Sequence, residues 1–307
     1  MRPRLLVVSP VHPPDDPRIR HKLIKTLDEE WDVTYGGRDP GPIDQTDLEW
    51  IELRGCRVMR DVRATRLLFA GNYEVASLHD PELLPGALLA GLFGRRIVFD
   101  VHENVPGQLA TKDWLPRPIR RPLAWLMGRL LRIAERRMDI TLAEEGYREL
   151  FARDHRVFPN YLKGDPPMPR DPDPTVGAVY LGDVTEARGL IPAVEAVATA
   201  GVTTMTLMGR CRPEFQQRLL ETASRHGLQL RFRGFVNLSE ALAVAAAGQV
   251  GLSPLLDTPN YRASLPTKVL EYLAVGIPTI ASDLPGTRSV VGERAGVVLA
   301  PPGDVAA

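Results

Sequence analysis

A lysine stands at an unusual position in the segment SLPTKVLEYLAVGIP, near the end of the chain. The pattern predicts a helix over residues 265–275, with Ser264 as the N-cap and Pro266 in the first turn. Lys268 then lies in the first turn, where the helix dipole disfavours a cation. A bound anion between Lys268 and the free backbone N–H groups would explain it. We therefore predict a phosphate-bearing ligand; the alternative is a solvated pair between Lys268 and Glu271 of little energy.

A second cation repeats this pattern earlier in the same half of the chain. In GAVYLGDVTEARGL, Gly182 follows a predicted strand and Arg188 stands at the next helix start. Two cations at two helix N-termini are what a diphosphate requires, because its charges must be neutralised without water. A metal ion could do this instead, but this half of the chain has no aspartate cluster placed to hold one. We predict a metal-free anion site at Arg188 and Lys268.

The first half of the chain carries polar side chains directly after several predicted strands. In open parallel sheets, ligands bind beyond the carboxyl ends of the strands. Each residue could be a helix cap or a buried hydrogen-bonded group, but together two clusters of histidines and acids predict a functional crevice. No G-x-G-x-x-G follows the first strand, which argues against a dinucleotide-binding dehydrogenase. The residues are Asp15, Asp16, Arg18 and Arg20; His79 and Asp80; and Asp100, His102 and Glu103.

Short β-branched runs alternate with helical patterns along the whole chain, which predicts parallel sheets covered by helices. We predict an α/β domain over 1–161, a proline-rich linker over 162–175 and a second α/β domain over 176–307. The chain ends soon after a strand, so we expect that further C-terminal helices are missing. The predicted helices cover 18–29, 81–92, 122–137 and 144–153 in the first half, and 188–200, 213–226, 239–247 and 265–275 in the second.

Composition excludes several classes of protein. The 38 basic and 38 acidic side chains cancel, so no overall field favours nucleic acid. Cys56 and Cys211 match no metal spacing or redox pair, which suits a reducing compartment. No segment approaches the roughly 20 apolar residues that span a bilayer. We predict a cytoplasmic protein, at most peripheral at the inner face of the membrane.

Residues 117–137 are rich in arginine and form a basic amphipathic pattern. Such a helix can lie on an anionic membrane, which would make the acceptor lipid-linked. The alternative is a domain helix whose apolar stripe packs on the sheet while its arginines are solvated. The predicted stripe consists of Leu123, Leu126, Leu130 and Ile133, with Trp125 beside it.

Several segments together resemble the bacterial glycosyltransferase family four. They are HDPELLP, VFDVHENVP, MDITLAEEGYRELFA, VFPN, YLGDVTEARGL, LMGR, RFRGFV and LPTKVLEYLAVGIPTIASD. The resemblance implies the GT-B fold, with two Rossmann-like parallel-sheet domains facing across a crevice, the acceptor in the first and the nucleotide-sugar donor in the second. It implies a retaining, metal-independent glycosyltransferase with no cofactor. The donor would be linked to UDP or GDP, and the transferred group would be a hexosyl or N-acetylhexosaminyl group. The implied pathway is cell-surface polysaccharide or glycolipid synthesis.

The resemblance also implies roles for single residues. Catalytic roles fall on His102 near the sugar, and on Lys268 and Arg188 at the donor phosphates. Glu271 matches the glutamate that holds the ribose. The other implied donor-binding residues are Gly182, Gly209, Phe235, Val236 and Pro266, and the implied acceptor-side residues are His79, Asp80, Asp16, Arg18 and Glu103.

The chain departs from the family pattern at two positions, which keeps two other functions open. Asp183 stands where many members have arginine, and Ala263 stands where many have glutamate. These changes are compatible with a non-catalytic nucleotide-sugar-binding protein of the same fold. A sugar-nucleotide epimerase or hydrolase is the other alternative, with Asp100 and Glu103 as acid and base.

Overall fold

The computed structural model describes residues 2–14, 16, 18–40, 48–111, 115–159, 166–292 and 296–306. The chain divides into two compact units, Met1–Lys163 and Gly164–Ala307. Asp15 and part of the predicted linker, residues 162–165, lie outside the described residues. Each unit contains one sheet, and every strand pair in both sheets is parallel among the described residues, as the alternating sequence pattern predicts.

The sheet of unit 1 has the strand order β3-β2-β1-β4-β5-β6-β7. Its core lies on both faces, because successive residues of β1 point to opposite sides: Leu6 and Val8 join one apolar cluster, and Leu5 and Val7 another. The strands are β1 Arg4–Ser9, β2 Asp32–Gly37, β3 Glu49–Glu52, β4 Val75–Leu78, β5 Ile97–Val101, β6 Asp139–Leu142 and β7 Arg156–Val157.

The helices of unit 1 differ from the sequence predictions at several ends. The helix predicted over 18–29 begins as a π-helical turn, Ile19–Ile24, and continues as the short α1, Lys25–Leu27. Residues 81–92 form a 3-10 turn, Pro81–Leu83, followed by α3, Leu84–Leu92. Residues 144–153 form only a 3-10 turn, Glu145–Leu150, rather than a helix. Two helices and strand β3 have no counterpart in the predictions; the helices are α2 Arg57–Ala70 and α4 Val105–Thr111.

Helix α5, Arg117–Ala134, begins five residues before its predicted start. Pro118 suits the first turn, and Pro122 is accommodated inside the helix. The predicted apolar stripe is divided: Leu130 packs against the core, whereas Leu126 is 57% and Ile133 48% exposed. The packed side uses Leu131 and Ala134 instead. The alternative in which this stripe packs on the sheet is therefore wrong for its exposed members.

The sheet of unit 2 has the strand order β10-β9-β8-β11-β12-β13. Its strands are β8 Ala178–Leu181, β9 Thr204–Met208, β10 Gln229–Phe232, β11 Val250–Ser253, β12 Thr279–Ser282 and β13 Val297–Ala300. Its helices are α6 Leu190–Thr199, α7 Pro213–Arg225, α8 Leu238–Ala245, α9 Thr267–Ala274 and α10 Pro285–Val291, of which α10 has no counterpart in the predictions.

Two helix starts in unit 2 are later than predicted. Helix α6 begins at Leu190 because Gly189, with φ +71°, separates it from the 3-10 turn Glu186–Arg188. Helix α9 begins at Thr267, and Pro266 rather than Ser264 occupies the N-cap position. Lys268 therefore remains in the first turn of its helix, and Arg188 lies just before one.

No helix in the described ranges combines the length and the apolar character needed to cross a membrane.

Candidate functional site

In unit 1, the carboxyl ends of three neighbouring strands bring the predicted histidines and acids together. Strands β1, β4 and β5 are adjacent and parallel, so the residues that follow them lie at one edge of the sheet. His79 and Asp80 follow β4, and Asp100 and His102 lie at the end of β5. These side chains line a pocket of about 120 Å³, together with His12, Arg57, Glu82 and Glu103.

Asp100 is the centre of a buried ion pair in this cluster. The Arg18 guanidinium donates from Nε to Oδ2 at 2.8 Å and from Nη2 to Oδ1 at 2.7 Å. Thr141 donates a further hydrogen bond to Oδ1 at 2.8 Å. Burial acts to raise the pKa of Asp100, but the bonds from His102, His79 and Arg18 outweigh it and hold that pKa well below its usual value. Asp100 is therefore a fixed carboxylate, which argues against an acid–base role for it.

His79 is buried behind this ion pair. Its Nδ1 lies 3.4 Å from Asp100 Oδ2, and its Nε2 lies 3.3 Å from Ser77 Oγ. Burial lowers the pKa of His79, so the ring is neutral near pH 7. The resemblance implied that His79 contacts the acceptor. Its fully buried side chain instead supports Asp100 and is not placed to reach an acceptor.

His79, Asp100 and His102 have ligand atoms close enough together to hold a metal ion. However, the Arg18 guanidinium already occupies both oxygens of Asp100, at the place where a second cation would have to approach. The donor set therefore fits an internal ion pair better than a metal centre.

His12 joins the cluster although the sequence analysis did not select it. Its Nδ1 lies 2.7 Å from Asp80 Oδ1, and its Nε2 lies 2.9 Å from His102 Nε2. Asp80 also accepts hydrogen bonds from Ser9 Oγ and from the backbone N–H of Val11. Burial acts to raise the pKa of Asp80, but the contact with His12 and the other bonds lower it below its usual value. The sequence feature that could have indicated His12 was its position in the loop after β1, at the same sheet edge as His79 and His102.

The remaining acceptor-side residues have different surroundings. Asp16 accepts hydrogen bonds from the backbone N–H groups of Arg18 and Ile19, so its carboxylate holds the start of the π-helical turn. Glu103 lies on the exposed rim of the pocket and accepts a hydrogen bond from Gln108. Of the residues that the resemblance assigned to the acceptor side, Glu103 is the one accessible at the pocket, and His102, which the resemblance made catalytic, lines the same pocket.

In unit 2, the two predicted cations meet at Gly182, directly after β8. Gly182 has φ +115°, and a Cβ built on it would lie 2.8 Å from Arg188 Nη1 and 3.5 Å from Lys268 Nζ. The absent side chain therefore leaves room at the point where both charges converge. We call Gly182, Arg188 and Lys268 the paired-cation site.

Lys268 is buried, and none of the described carboxylates lies at hydrogen-bond distance from its amine. Its side chain lies over the ring of Tyr180, with Nζ 4.0 Å from the ring centroid. Within the described ranges, Nζ has no hydrogen-bond partner. Burial and the nearby Arg188 lower the pKa of Lys268 well below its usual value, while Glu271 and Asp183 oppose this shift less strongly. An anion bound here would reverse that shift, because it would favour the charged amine.

Tyr272 fixes the helix that carries Lys268, and the sequence analysis missed it. Its buried hydroxyl accepts a hydrogen bond from the backbone N–H of Leu181 at 2.9 Å and lies 3.2 Å from the carbonyl oxygen of Leu252. This side chain joins α9 to β8 and β11. Because Lys268 lies four residues earlier on the same helix face, Tyr272 holds it over the end of β8.

The other donor-side residues extend along the same sheet edge. Gly209, after β9, approaches Gly182 so closely that a Cβ would lie 2.0 Å from the Gly182 carbonyl oxygen. Phe235 follows β10 and is 71% exposed, with the Arg210 guanidinium over its ring at 5.0 Å. Asp183 is exposed and has the smallest of the named effects on the pKa of Lys268. Val236 lies in the loop between β10 and α8, Pro266 is the N-cap of α9, and Glu271 lies in the second turn of α9.

Residues 175–307 match the family model described as Glycosyl transferases group 1. The second unit is therefore similar to the group 1 glycosyltransferases over these residues. No curated protein matches the chain in sequence.

Solved structures match almost the whole chain. Sucrose-phosphate synthase from Thermosynechococcus elongatus is 17% identical, with a TM-score of 0.72 over 99% of this chain and 87% of that one. The Anabaena protein HepE, in complex with UDP and glucose, is 14% identical, with a TM-score of 0.71 over 99% and 87%. WaaG, a glycosyltransferase involved in lipopolysaccharide biosynthesis, is 11% identical, with a TM-score of 0.68 over 97% and 86%. With the two parallel sheets, these matches confirm the predicted GT-B fold class.

Proposed function

We propose that this protein is a glycosyltransferase of family four that transfers a sugar from a nucleotide-sugar donor to an acceptor with retention of configuration. The observation that carries the proposal is the paired-cation site, where Lys268 is buried beside Arg188 and, among the residues that the structure describes, has no partner of opposite charge at hydrogen-bond distance. The similarity of residues 175–307 to the group 1 glycosyltransferases supports the same assignment.

The ligand of the paired-cation site is the diphosphate of the donor. Two buried like charges are costly on their own, and a group with at least two negative charges relieves both. During transfer, negative charge develops on the leaving diphosphate, and Arg188 and Lys268 stabilise it without a metal ion. Glu271, one turn further along α9, binds the ribose. HepE is recorded with UDP and glucose, which supports a donor of this class.

Unit 1 supplies the acceptor side. His102 lines the pocket at the end of β5 and orients the reacting sugar. A hexosyl or N-acetylhexosaminyl group is the sugar transferred, in cell-surface polysaccharide or glycolipid synthesis. The pocket residues are fixed by the internal ion pairs of Asp80 and Asp100, which suits positioning of an acceptor hydroxyl more than acid–base chemistry by those carboxylates.

Calorimetric titration with UDP and GDP in EDTA tests the donor site. We expect one of the two diphosphates to bind to the whole chain, and Lys268→Ala to weaken it by about 30-fold or more, since truncating one side of a buried charge pair costs at least ~2 kcal/mol. The control is Arg231→Ala, at an exposed arginine of the same unit, which should keep the diphosphate affinity of the wild type. Unchanged binding in Lys268→Ala contradicts the proposal.

Turnover separates the transferase from the non-catalytic alternative. The donor for this assay is the sugar nucleotide that contains the diphosphate bound in the titration. With this donor and a mixture of candidate acceptors, we expect release of nucleoside diphosphate and a product that keeps the anomeric configuration of the donor. Binding without any release, with or without acceptors, would support a binding protein instead.

We also propose that α5 contacts an anionic membrane at its inner, cytoplasmic face and that the acceptor is lipid-linked. Ile119, Leu126 and Ile133 are exposed and seven residues apart, so they lie along one line of the helix. Trp125 is exposed beside them, under the Arg129 guanidinium. Apolar side chains flanked by arginines fit the headgroup region of an anionic bilayer.

Co-sedimentation with vesicles tests this contact. We expect binding to phosphatidylglycerol vesicles, little binding to pure phosphatidylcholine, and loss of binding when Leu126→Ser is combined with Arg129→Gln and Arg136→Gln. The control combines Arg212→Gln and Arg231→Gln, two exposed arginines of unit 2. Equal sedimentation of both variants would refute contact through α5.

A further inference from the structure

Two imidazole rings in the unit 1 pocket contact each other nitrogen to nitrogen. Nε2 of His12 and Nε2 of His102 are 2.9 Å apart, and the rings meet edge to face with centroids 4.6 Å apart. Two unprotonated nitrogens would repel at this distance, and so would two N–H groups. One proton must therefore lie between them, donated by one ring and accepted by the other.

The far nitrogens of both rings also need protons. His12 Nδ1 lies 2.7 Å from an oxygen of Asp80, which is too close for two lone pairs. His102 Nδ1 lies 3.1 Å from the carbonyl oxygen of Asp100, which can only accept. Each Nδ1 therefore carries a hydrogen. With the proton between the two Nε2 atoms, the two rings hold three protons, and the pair carries one positive charge.

The charged groups around the pair favour this state. Asp80, Asp16 and Glu103 are the carboxylates that act on His12. Burial acts to lower the pKa of His12, but these carboxylates, Asp80 first, raise it above its ordinary value of 6.5.

On the His102 side, Asp100 is neutralised by Arg18, and His79 is neutral, with its ring centroid 5.8 Å from that of His102. Arg57 and Glu82 line the same pocket and pair with each other. Tyr147 donates a hydrogen bond to the carbonyl oxygen of His102, which fixes the backbone there.

We propose that His12 is a positioning residue that shares one proton with His102, and that the Asp80–His12–His102 chain sets the orientation and the charge of the His102 ring. The inference deepens the proposed function, because it rests on the role of His102 beside the reacting sugar. While the pair holds its extra proton, the His102 ring is fixed at both nitrogens. Loss of the proton removes the bond between the rings and frees His102 to turn.

Nitrogen NMR of the whole chain with labelled histidine tests the shared proton independently of any transferase activity. At pH 6 we expect a scalar coupling between the two Nε2 nuclei across the hydrogen bond, and protonated Nδ1 on both rings. The coupling disappears as the pH rises through the raised pKa of His12, above 6.5. His12→Gln abolishes the coupling. His226→Gln, an exposed histidine of unit 2, leaves both signals unchanged.

Kinetics then tests the positioning role. We expect His12→Gln to lower kcat by about 100-fold, as expected for a misplaced reacting group, and to leave the diphosphate affinity of unit 2 unchanged. We expect kcat of the wild-type protein to fall as the pH rises, and we expect this fall to be lost in the variant. Absence of the coupling at pH 6, or a wild-type pH profile in His12→Gln, overturns the inference. A coupling in a chain that transfers no sugar supports the proton-sharing pair and overturns only the proposed function.

Discussion

The two units treat buried charge in opposite ways. In unit 1, the buried carboxylates of Asp80 and Asp100 have cationic or polar partners within the unit. In unit 2, Lys268 is buried next to a second cation, and no carboxylate reaches its amine among the described residues. The first arrangement is electrostatically balanced as folded, whereas the second would be balanced by a bound anion. The difference suits a fixed geometry in unit 1 and is what the proposed diphosphate site in unit 2 requires.

Removal of the Asp100 carboxylate should therefore strongly lower the stability of unit 1. Asp100→Asn leaves the Arg18 guanidinium, of which 12% is exposed, without its carboxylate. We expect the free energy of unfolding of unit 1 to fall by about 3–5 kcal/mol, the usual cost of breaking a buried pair. Urea unfolding followed by tryptophan fluorescence measures this, because all four tryptophans lie in unit 1.

Asp154→Asn is the matched control, since this carboxylate is 86% exposed and its pair with Arg148 contributes little. The pH dependence has a definite sign. The pKa of Asp100 is lower in the folded than in the unfolded state, so its contribution to stability is present above about pH 3.8 and is lost as the pH falls through the folded pKa. An equal loss of stability in the two variants would remove the distinction between a buried pair and a surface pair.

Removal of the buried lysine of unit 2 should raise the stability of that unit, whereas removal of Asp100 lowers the stability of unit 1. Lys268→Met replaces a buried amine, which has no hydrogen-bond partner in the described part of the chain, by an apolar side chain of similar length. We expect the ligand-free unit 2 to gain about 1–4 kcal/mol, the range seen when buried charges are replaced by apolar groups, although its diphosphate binding is lost. Hydrogen exchange of peptides from β8 and α9 measures this stability separately from that of unit 1.

The pH dependence of this gain also has a definite sign. Burial lowers the pKa of Lys268 in the folded state, so the unfolded state binds its proton more tightly. Stability of the wild-type unit therefore rises with pH from the folded pKa up to about 10.5, and the advantage of Lys268→Met shrinks over that interval. Lys25→Met, at an exposed lysine of unit 1, should change neither unit. A less stable unit 2 in Lys268→Met would show that the amine is paired in solution.

The convergence of Lys268 and Arg188 in unit 2 could be predicted from the sequence better than the contacts of His12 in unit 1, for a physical reason. Lys268 and Arg188 stand out locally, because a cation at a helix start conflicts with the helix dipole whatever the rest of the fold does. The contact between His12 and His102 joins residues 90 positions apart, and nothing local to either one indicates it. Tyr272 is similar, since an aromatic residue in an amphipathic helix shows nothing of the strand amides that it reaches.

The strands and helices could likewise be predicted where a local sequence pattern indicated them. Strands β1, β4 and β5 are buried on both faces and read as continuous apolar runs, so they could be predicted. Helix α2 buries only Ala64 and Leu68 and otherwise carries arginines among apolar residues, so its pattern gave no clear face. In α5, the sequence showed an amphipathic helix, but the choice between core and surface for Leu126 depended on how the helix packs on unit 1.

A pair of glycines gives the finest test of the paired-cation site. Gly182 and Gly201 both have positive φ, +115° and +77°, but a Cβ on Gly182 would meet Arg188 and Lys268, whereas one on Gly201 would meet nothing within 4 Å. Both alanine variants should lose about 1 kcal/mol of stability for the backbone conformation. Only Gly182→Ala should also weaken diphosphate binding, by about tenfold or ~1.4 kcal/mol, because its methyl group displaces the Arg188 guanidinium. Titration of both variants with the diphosphate that binds the wild type measures this difference, and equal affinities would mean that the anion does not lie at Gly182.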